Sequence, residues 1–579
     1  METNNRTGRI NKAWKKPFFI YVLPILAVSG FAFQNCSGGF EMAQLDLASQ
    51  GLNGGGGAGG PGGVIDVIDP VTKTCTQSSP IGKALIRKLN RNELNNSLND
   101  ILGLNKDYAD DLSPDNTDIS GFTNNAETLQ IDSDYMYTLE KVTYRAVNDA
   151  LSKTNSTYLQ CSGGQNLACA KTKLAQVGKA AYRRPLTTAE IDKLAAIFNK
   201  AVSGGLTFAE GIGYSMQRIF MSPDFLYRSS YSGGETIKGV KLSQHELASR
   251  ISYFLWNSAP DAQLMAAADA NKLGTAEEIR AQVKRLLMDS KSDRFIRNFT
   301  DEWIGMQKLQ AAARDGLSNQ LKADMQEETE RLMISILRND SSPLDVIGAD
   351  YSYINANLAS LYGISGVTGT QFRRVEFSPM NVPRRGILTH GSVLTLTSSP
   401  AETKPVARGA QILNGITCNP PPPFPDGLTV TPLKDEGSEN LSVAERMALH
   451  RQEGTSCFGC HREMDPVGLG LENFDQLGRY RTKYASGNPV DSSGEIRGVK
   501  FSNGMQLIDF IVKQNDFKRC LTQKLMGYAI GRSITEQDKC AVQAIGDNYV
   551  KEDKTFSDLV SAIVLSEQFL MNQTNSRGE

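Results

Sequence analysis

NRNELNNSLNDILG, Asn90 to Gly103, holds the pattern that decides the fold. Asn90 and Glu93 have the spacing of a capping box. In that device a side-chain oxygen at the N-cap takes the orphan amide at N3, and a carboxylate at N3 reaches back. Leu94, Leu98, Ile101 and Leu102 then fall on one helical face, and Gly103 supplies the stop. The spacing predicts a helix over 91–102. The same box recurs at Thr187/Glu190, Ser243/Glu246, Thr275/Glu278 and Ser442/Glu445. Near the end, Phe517, Leu521, Leu525 and Tyr528 repeat at helical spacing before Gly531. Alternating patterns are few, and VLTLT (Val393 to Thr397) is the best strand candidate. The chain reads as a mostly α, multidomain helical protein. Residues 363–386 read as loop-rich. Asn419 to Pro425 is a proline-rich spacer, or alternatively a ligand for a proline-reading domain.

Composition is ordinary for a globular protein: 579 residues, 40% hydrophobic, 22% charged, formal net charge −1. That balance offers no large positive surface to attract nucleic acid. The N-terminus reads as targeting sequence. Arg6, Arg9, Lys12, Lys15 and Lys16 precede an apolar run from Pro17 to Phe33, the layout of a secretory signal. Cys36 follows directly and resembles the lipid-attachment cysteine of a bacterial lipoprotein, although Asn35 stands where a small residue is usual. An uncleaved anchor and ordinary signal cleavage nearby are the competing readings. Gly51 to Gly63 is too glycine-rich to pack a core and reads as a flexible tether.

Cys457-Phe458-Gly459-Cys460-His461 is the one motif with evident chemistry. Two thiols can form thioethers with a haem edge while the adjacent histidine takes the iron. Export favours this reading, because c-type haem is attached outside the cytoplasm. A structural zinc site is the first rival, but it wants four ligands, and the chain has four histidines and no second C-x-x-C. A redox thiol pair is the second, and it lacks the βαβ setting. With Cys36, Cys457 and Cys460 set aside, six cysteines remain of nine. Local spacing favours a Cys161–Cys169 disulfide. Cys520–Cys540 would tie two adjacent helices, and Cys75–Cys418 follows by elimination.

Seven segments, in five groups, carry a family resemblance: LIRKLNRNELNNSLNDILGL (85–104), AAYRRPLTTAEIDKL (180–194), MSPDFLYR (221–228) with LSQHELASRISYFLW (242–256), RRGILTHGSVLTLTSSPAETKPVARG (384–409) with SCFGCHREMDPVGLGLENFDQLGRYR (456–481), and CLTQKLMGYAIGR (520–532). In this order they resemble the large secreted cytochrome-like proteins of planctomycetes and other bacteria, built from serial domains of unknown function. The resemblance implies a C-terminal c-type cytochrome-like haem domain. The implied layout is a signal over 1–36 and a tether over 37–75. Helical domains follow over 76–150, 151–235 and 236–365, then the haem-attachment domain over 380–485 and a last helical domain over 490–572.

Cys457, Cys460 and His461 would hold one covalent haem c, with His461 as iron ligand. His450, on the helix opened by Ser442, is the first choice for the opposite face, where the family often has a histidine. His390 is second, and Met380, Met505 and Met526 are further candidates. Asp465-Pro466 would start a turn, and Gly468 and Gly470 would let backbone approach a flat ring. Glu472 and Asp475 would bond backbone amides, and Arg479 and Arg481 could pair with propionates. The function expected is electron transfer at the periplasmic side of the cell envelope. The protein would be lipid-anchored, in the outer membrane, or secreted, and would meet a redox partner there. Two alternatives stand beside it: a haem-dependent oxidoreductase acting on an unknown, carbohydrate-linked substrate, and a non-enzymatic scaffold with a structural metal.

Overall fold

All five capping boxes form, and each opens a helix. Asn90 caps α1 (Arg91–Leu102), which ends on Gly103 in the left-handed region at φ 63°. Behind α1 pack α2 (Ser133–Leu151), α3 (Leu167–Tyr182), α4 (Thr188–Ser203, capped by Thr187) and α5 (Phe208–Phe220). Ser243 caps α6 (Gln244–Trp256) and Thr275 caps α7 (Ala276–Met288). Next come α8 (Ser292–Ile304) and α9 (Asn319–Arg338). The C-terminal part carries α10 (Gly391–Leu396), α11 (Pro405–Ala410), α12 (Val443–His450, capped by Ser442), α13 (Phe458–Leu469) and α14 (Asn515–Ile530). The computed structural model describes residues 86–118, 121–228, 240–421, 442–451, 458–551 and 554–572. All of them lie in the unit that begins at Val64. Cys36, Cys75, Cys457 and the prolines at 422–425 lie outside the described residues.

Strands are short and pair as two-stranded antiparallel sheets. Two of these join distant parts of the chain. Arg87 and Lys88 (β1) pair with Tyr227 and Arg228 (β2), while Val240 and Lys241 (β3) pair with Met571 and Asn572 near the C-terminus. The apolar residues of α1 to α5 form one core, and those of α6 to α14 form a second that runs through the C-terminal half. Polar groups stitch the two together. Tyr253 of α6 belongs to the first core, and its hydroxyl meets Ser97 Oγ at 2.9 Å. Arg87 bonds the carboxylate of Glu93 at 2.6 Å and donates to the Asn124 carbonyl at 2.7 Å. Asn124 in turn donates to the Tyr528 carbonyl at 2.8 Å, so the first helix is tied to α14 through buried hydrogen bonds. No helix among the described residues is long and apolar enough to cross a membrane.

Two expectations are corrected. VLTLT is not a strand but most of α10. The Leu394 amide closes a turn onto the His390 carbonyl at 3.1 Å, and the Tyr362 hydroxyl holds the Gly391 amide at 2.8 Å. Burial with helical hydrogen bonds outweighs the β preference of Val and Thr. Residues 363–386 are loop-rich as expected and include one short strand, β5 (Arg373–Glu376), which pairs with β4 (Tyr351–Ile354).

The second correction concerns disulfides. Cys161–Cys169 forms as spacing suggested, with Cα atoms 5.8 Å apart. Cys520 bonds Cys418 rather than Cys540, with Cα atoms 5.2 Å apart, so the Cys75–Cys418 pairing falls with it. Cys540 is disulfide-bonded to another partner. The helical turn at 411–416 packs on α14 and brings Cys418 beside Cys520 across a separation of 102 residues. Sequence neighbourhood cannot reveal such a contact.

Candidate functional site

The site is built on α13, whose first turn carries Cys460 and His461. Cys460 is half-buried against the larger core. His461 Nδ1 lies 2.9 Å from Asp465 Oδ1, one helical turn on. The Asp465 side chain is fully buried, while His461 is 21% exposed. The expected turn at Asp465-Pro466 does not form, because the helix runs through Pro466 to Leu469. Pro466 cannot donate to the Arg462 carbonyl, a loss an isolated helix resists. Packing on α11 overrides it. A Cβ at Gly409 would lie 1.9 Å from the Met464 carbonyl oxygen, and one at Gly468 would lie 1.8 Å from the Pro405 carbonyl oxygen. Gly468 therefore serves helix-to-helix contact, not approach to a flat ring. A Cβ at Gly470 would meet the side chains of Leu507 and Phe501.

The loop after α13 is held from within. Arg408, fully buried on α11, donates to the carbonyls of Leu471, Phe474 and Asp475 at 2.7, 2.8 and 3.0 Å. Asp475 Oδ1 accepts the amides of Leu477 and Arg479, both at 2.8 Å, as expected of it. Glu472 takes no amide. Its Oε1 accepts from Thr403 Oγ1 at 2.6 Å and from Arg481 at 2.7 Å. Arg479 pairs with Asp475 at 3.3 Å. Both arginines proposed for propionates thus already have carboxylate partners. Nothing in the sequence singled out Arg408, which is one cation among 62. Asp465 was visible as the i+4 neighbour of His461, once the helix is known to continue.

The remaining candidates divide. His450 is the last residue of α12, and its side chain lies outside what the structure describes. His390 is displaced from the second choice for iron. It is buried, with Nδ1 3.0 Å from Thr329 Oγ1 and Nε2 3.2 Å from Ser352 Oγ. Desolvation and then the Arg384 charge push its pKa down to about 3. Met526 is core and Met380 is exposed.

Ser352, His390 and Glu328 resemble a hydrolytic triad in composition only. Glu328 accepts from Ser352 at 2.9 Å and from Tyr362 at 2.5 Å, so the carboxylate holds the hydroxyls rather than the far ring nitrogen. All three residues are buried beyond reach of a substrate.

A cavity of about 1290 Å³ flanks α13 on the face of Arg462, Glu463 and Val467, closed opposite by the hairpin of β6 (Gly494–Ile496) and β7 (Val499–Phe501). His461 is not among its lining residues. Cys460 and His461 lie side by side at the start of α13. They are adjacent in one helical turn, and with Nδ1 committed to Asp465 it is Nε2 that would be offered to a metal.

Five family models match the chain in series, each described as a protein of unknown function: DUF1587 over 87–152, DUF1595 over 169–229, DUF1592 over 242–364, DUF1588 over 384–484 and DUF1585 over 497–569. No curated protein and no solved structure matches. From α1 through α14 the chain runs through these five domains in order, and it belongs to the family of large multidomain proteins built from them.

Proposed function

We propose that the chain is an exported c-type monohaem protein that transfers electrons at the cell envelope. Cys457 and Cys460 attach the haem and His461 ligates its iron. The observation that supports this best is the pairing of His461 Nδ1 with buried Asp465, which sets the imidazole for ligation through Nε2. Haem, when bound, supplies one-electron exchange. Cys460 would hold it to α13, and the Arg408 network holds the chain that follows. Lipid on Cys36 would keep the protein at the envelope, where it meets its redox partner.

The test is an absorption spectrum of the full chain made in a periplasm with haem-maturation machinery, followed by a pyridine haemochrome assay after denaturation. One covalent haem per chain is expected, lost when Cys457 and Cys460 are both replaced by serine. A colourless protein that binds zinc would sink this reading and leave the scaffold with a structural metal.

The cavity beside α13 favours a second reading, a haem-dependent oxidoreductase with a substrate held there, carbohydrate-linked by expectation. A high-spin spectrum that shifts on adding oligosaccharide would move the choice to it.

A further inference from the structure

We infer that Asp465 is a positioning residue that fixes the tautomer of His461 and biases the iron it holds toward the ferric state. The inference rests on the haem reading above. With Asp465 as the acceptor of this contact, the proton between the two residues belongs to Nδ1, and the lone pair is on Nε2. A carboxylate pulls on that proton harder than a neutral backbone carbonyl would. It makes the imidazole a stronger donor, and a stronger donor favours the higher charge on the metal.

The surroundings make the contact rigid. Asp465 is wholly buried on a helix that continues through Pro466. The contact of Gly409 with Met464 and of Gly468 with Pro405 clamps that same turn against α11. A surface i,i+4 pair would be mobile and worth a few tenths of a kcal/mol. This one is held on a rigid element, as a tuned ligand requires.

The experiment compares the full-length haem-loaded protein with Asp465→Asn and Asp465→Glu by spectroelectrochemical titration, with haem counted separately by pyridine haemochrome. Asp465→Asn should keep the covalent haem and move the ferric/ferrous balance toward ferrous at least ten-fold, about 59 mV for a one-electron couple. Asp465→Glu, which restores a carboxylate, should recover most of that shift. Unchanged potential in a haem-loaded Asp465→Asn overturns the inference and leaves the haem reading standing. Absence of covalent haem in the unaltered protein overturns the haem reading itself.

Should Asp465→Asn fail to fold, the unaltered protein decides. Resonance Raman of its ferrous form after photolysis of bound CO reports the iron–histidine stretch. A frequency raised as for a carboxylate-bonded histidine supports the inference, and one typical of a carbonyl-bonded histidine overturns it.

Discussion

Gly409 and Gly468 face each other where α11 crosses α13, so close that neither position has room for a methyl group. At both, the atoms in the way are backbone, which cannot swing aside. Gly409→Ala or Gly468→Ala should therefore force the helices apart. The expected cost is about 3 kcal/mol, at the upper end of what overpacking usually exacts. Thermal unfolding of either variant checks this, together with its covalent haem content. A melting temperature within a degree of the unaltered protein would refute the close contact.

Arg408 holds three carbonyls of the loop that follows α13, and its Nη1 lies 3.7 Å from the buried Glu472 carboxylate. Removing the guanidinium leaves that carboxylate and those carbonyls short of a donor. Arg408→Ala should lose about 3 kcal/mol or more. Arg408→Lys should recover only part of it, since one ammonium nitrogen cannot take the places of both Nη1 and Nη2. Denaturant melts of the two variants measure the difference, and full recovery by lysine would refute the forked role.

Burial pushes the Glu328 carboxyl up to about 7 from an ordinary 4.5. The folded chain therefore binds that proton more tightly than the unfolded one. The stability this contributes is full below pH 4.5 and is lost as pH rises through 7. His390 runs the other way, because its depressed pKa contributes stability above pH 6.5 that is lost as pH falls toward 3. In Glu328→Gln only the first dependence disappears. The unfolding free energy of the unaltered protein minus that of the variant should fall by on the order of 3 kcal/mol between pH 4.5 and 7.5. A difference that stays flat across that range would count against it.

The Cys418–Cys520 disulfide closes a loop of 102 residues. Replacing both cysteines by serine should lower stability by up to about 4 kcal/mol on the chain-entropy account. Non-reducing peptide mapping is the direct check. A fragment joining the 418 and 520 peptides is expected, and one joining 520 to 540 would contradict the fold.

Local chemistry was legible in the residues. A box such as Asn90/Glu93 is satisfied within one turn, so nothing distant can veto it, and all five boxes formed. The Cys161–Cys169 loop is short enough to close by itself. The motif at 457–461 and the order of the five domains were likewise readable, since both are written along the chain.

What only the tertiary structure decided depends on neighbours remote in sequence. Val393 to Leu396 became helix because Tyr362 and the core claimed it. The helix continued through Pro466 because α11 braced it, and that continuation placed Asp465 under His461. His390 was taken into a polar core by Thr329 and Ser352, and Cys418 found Cys520 across the interface between two domains. In each case the intrinsic preference is worth at most a few kcal/mol. Close packing of a large buried surface outweighs it.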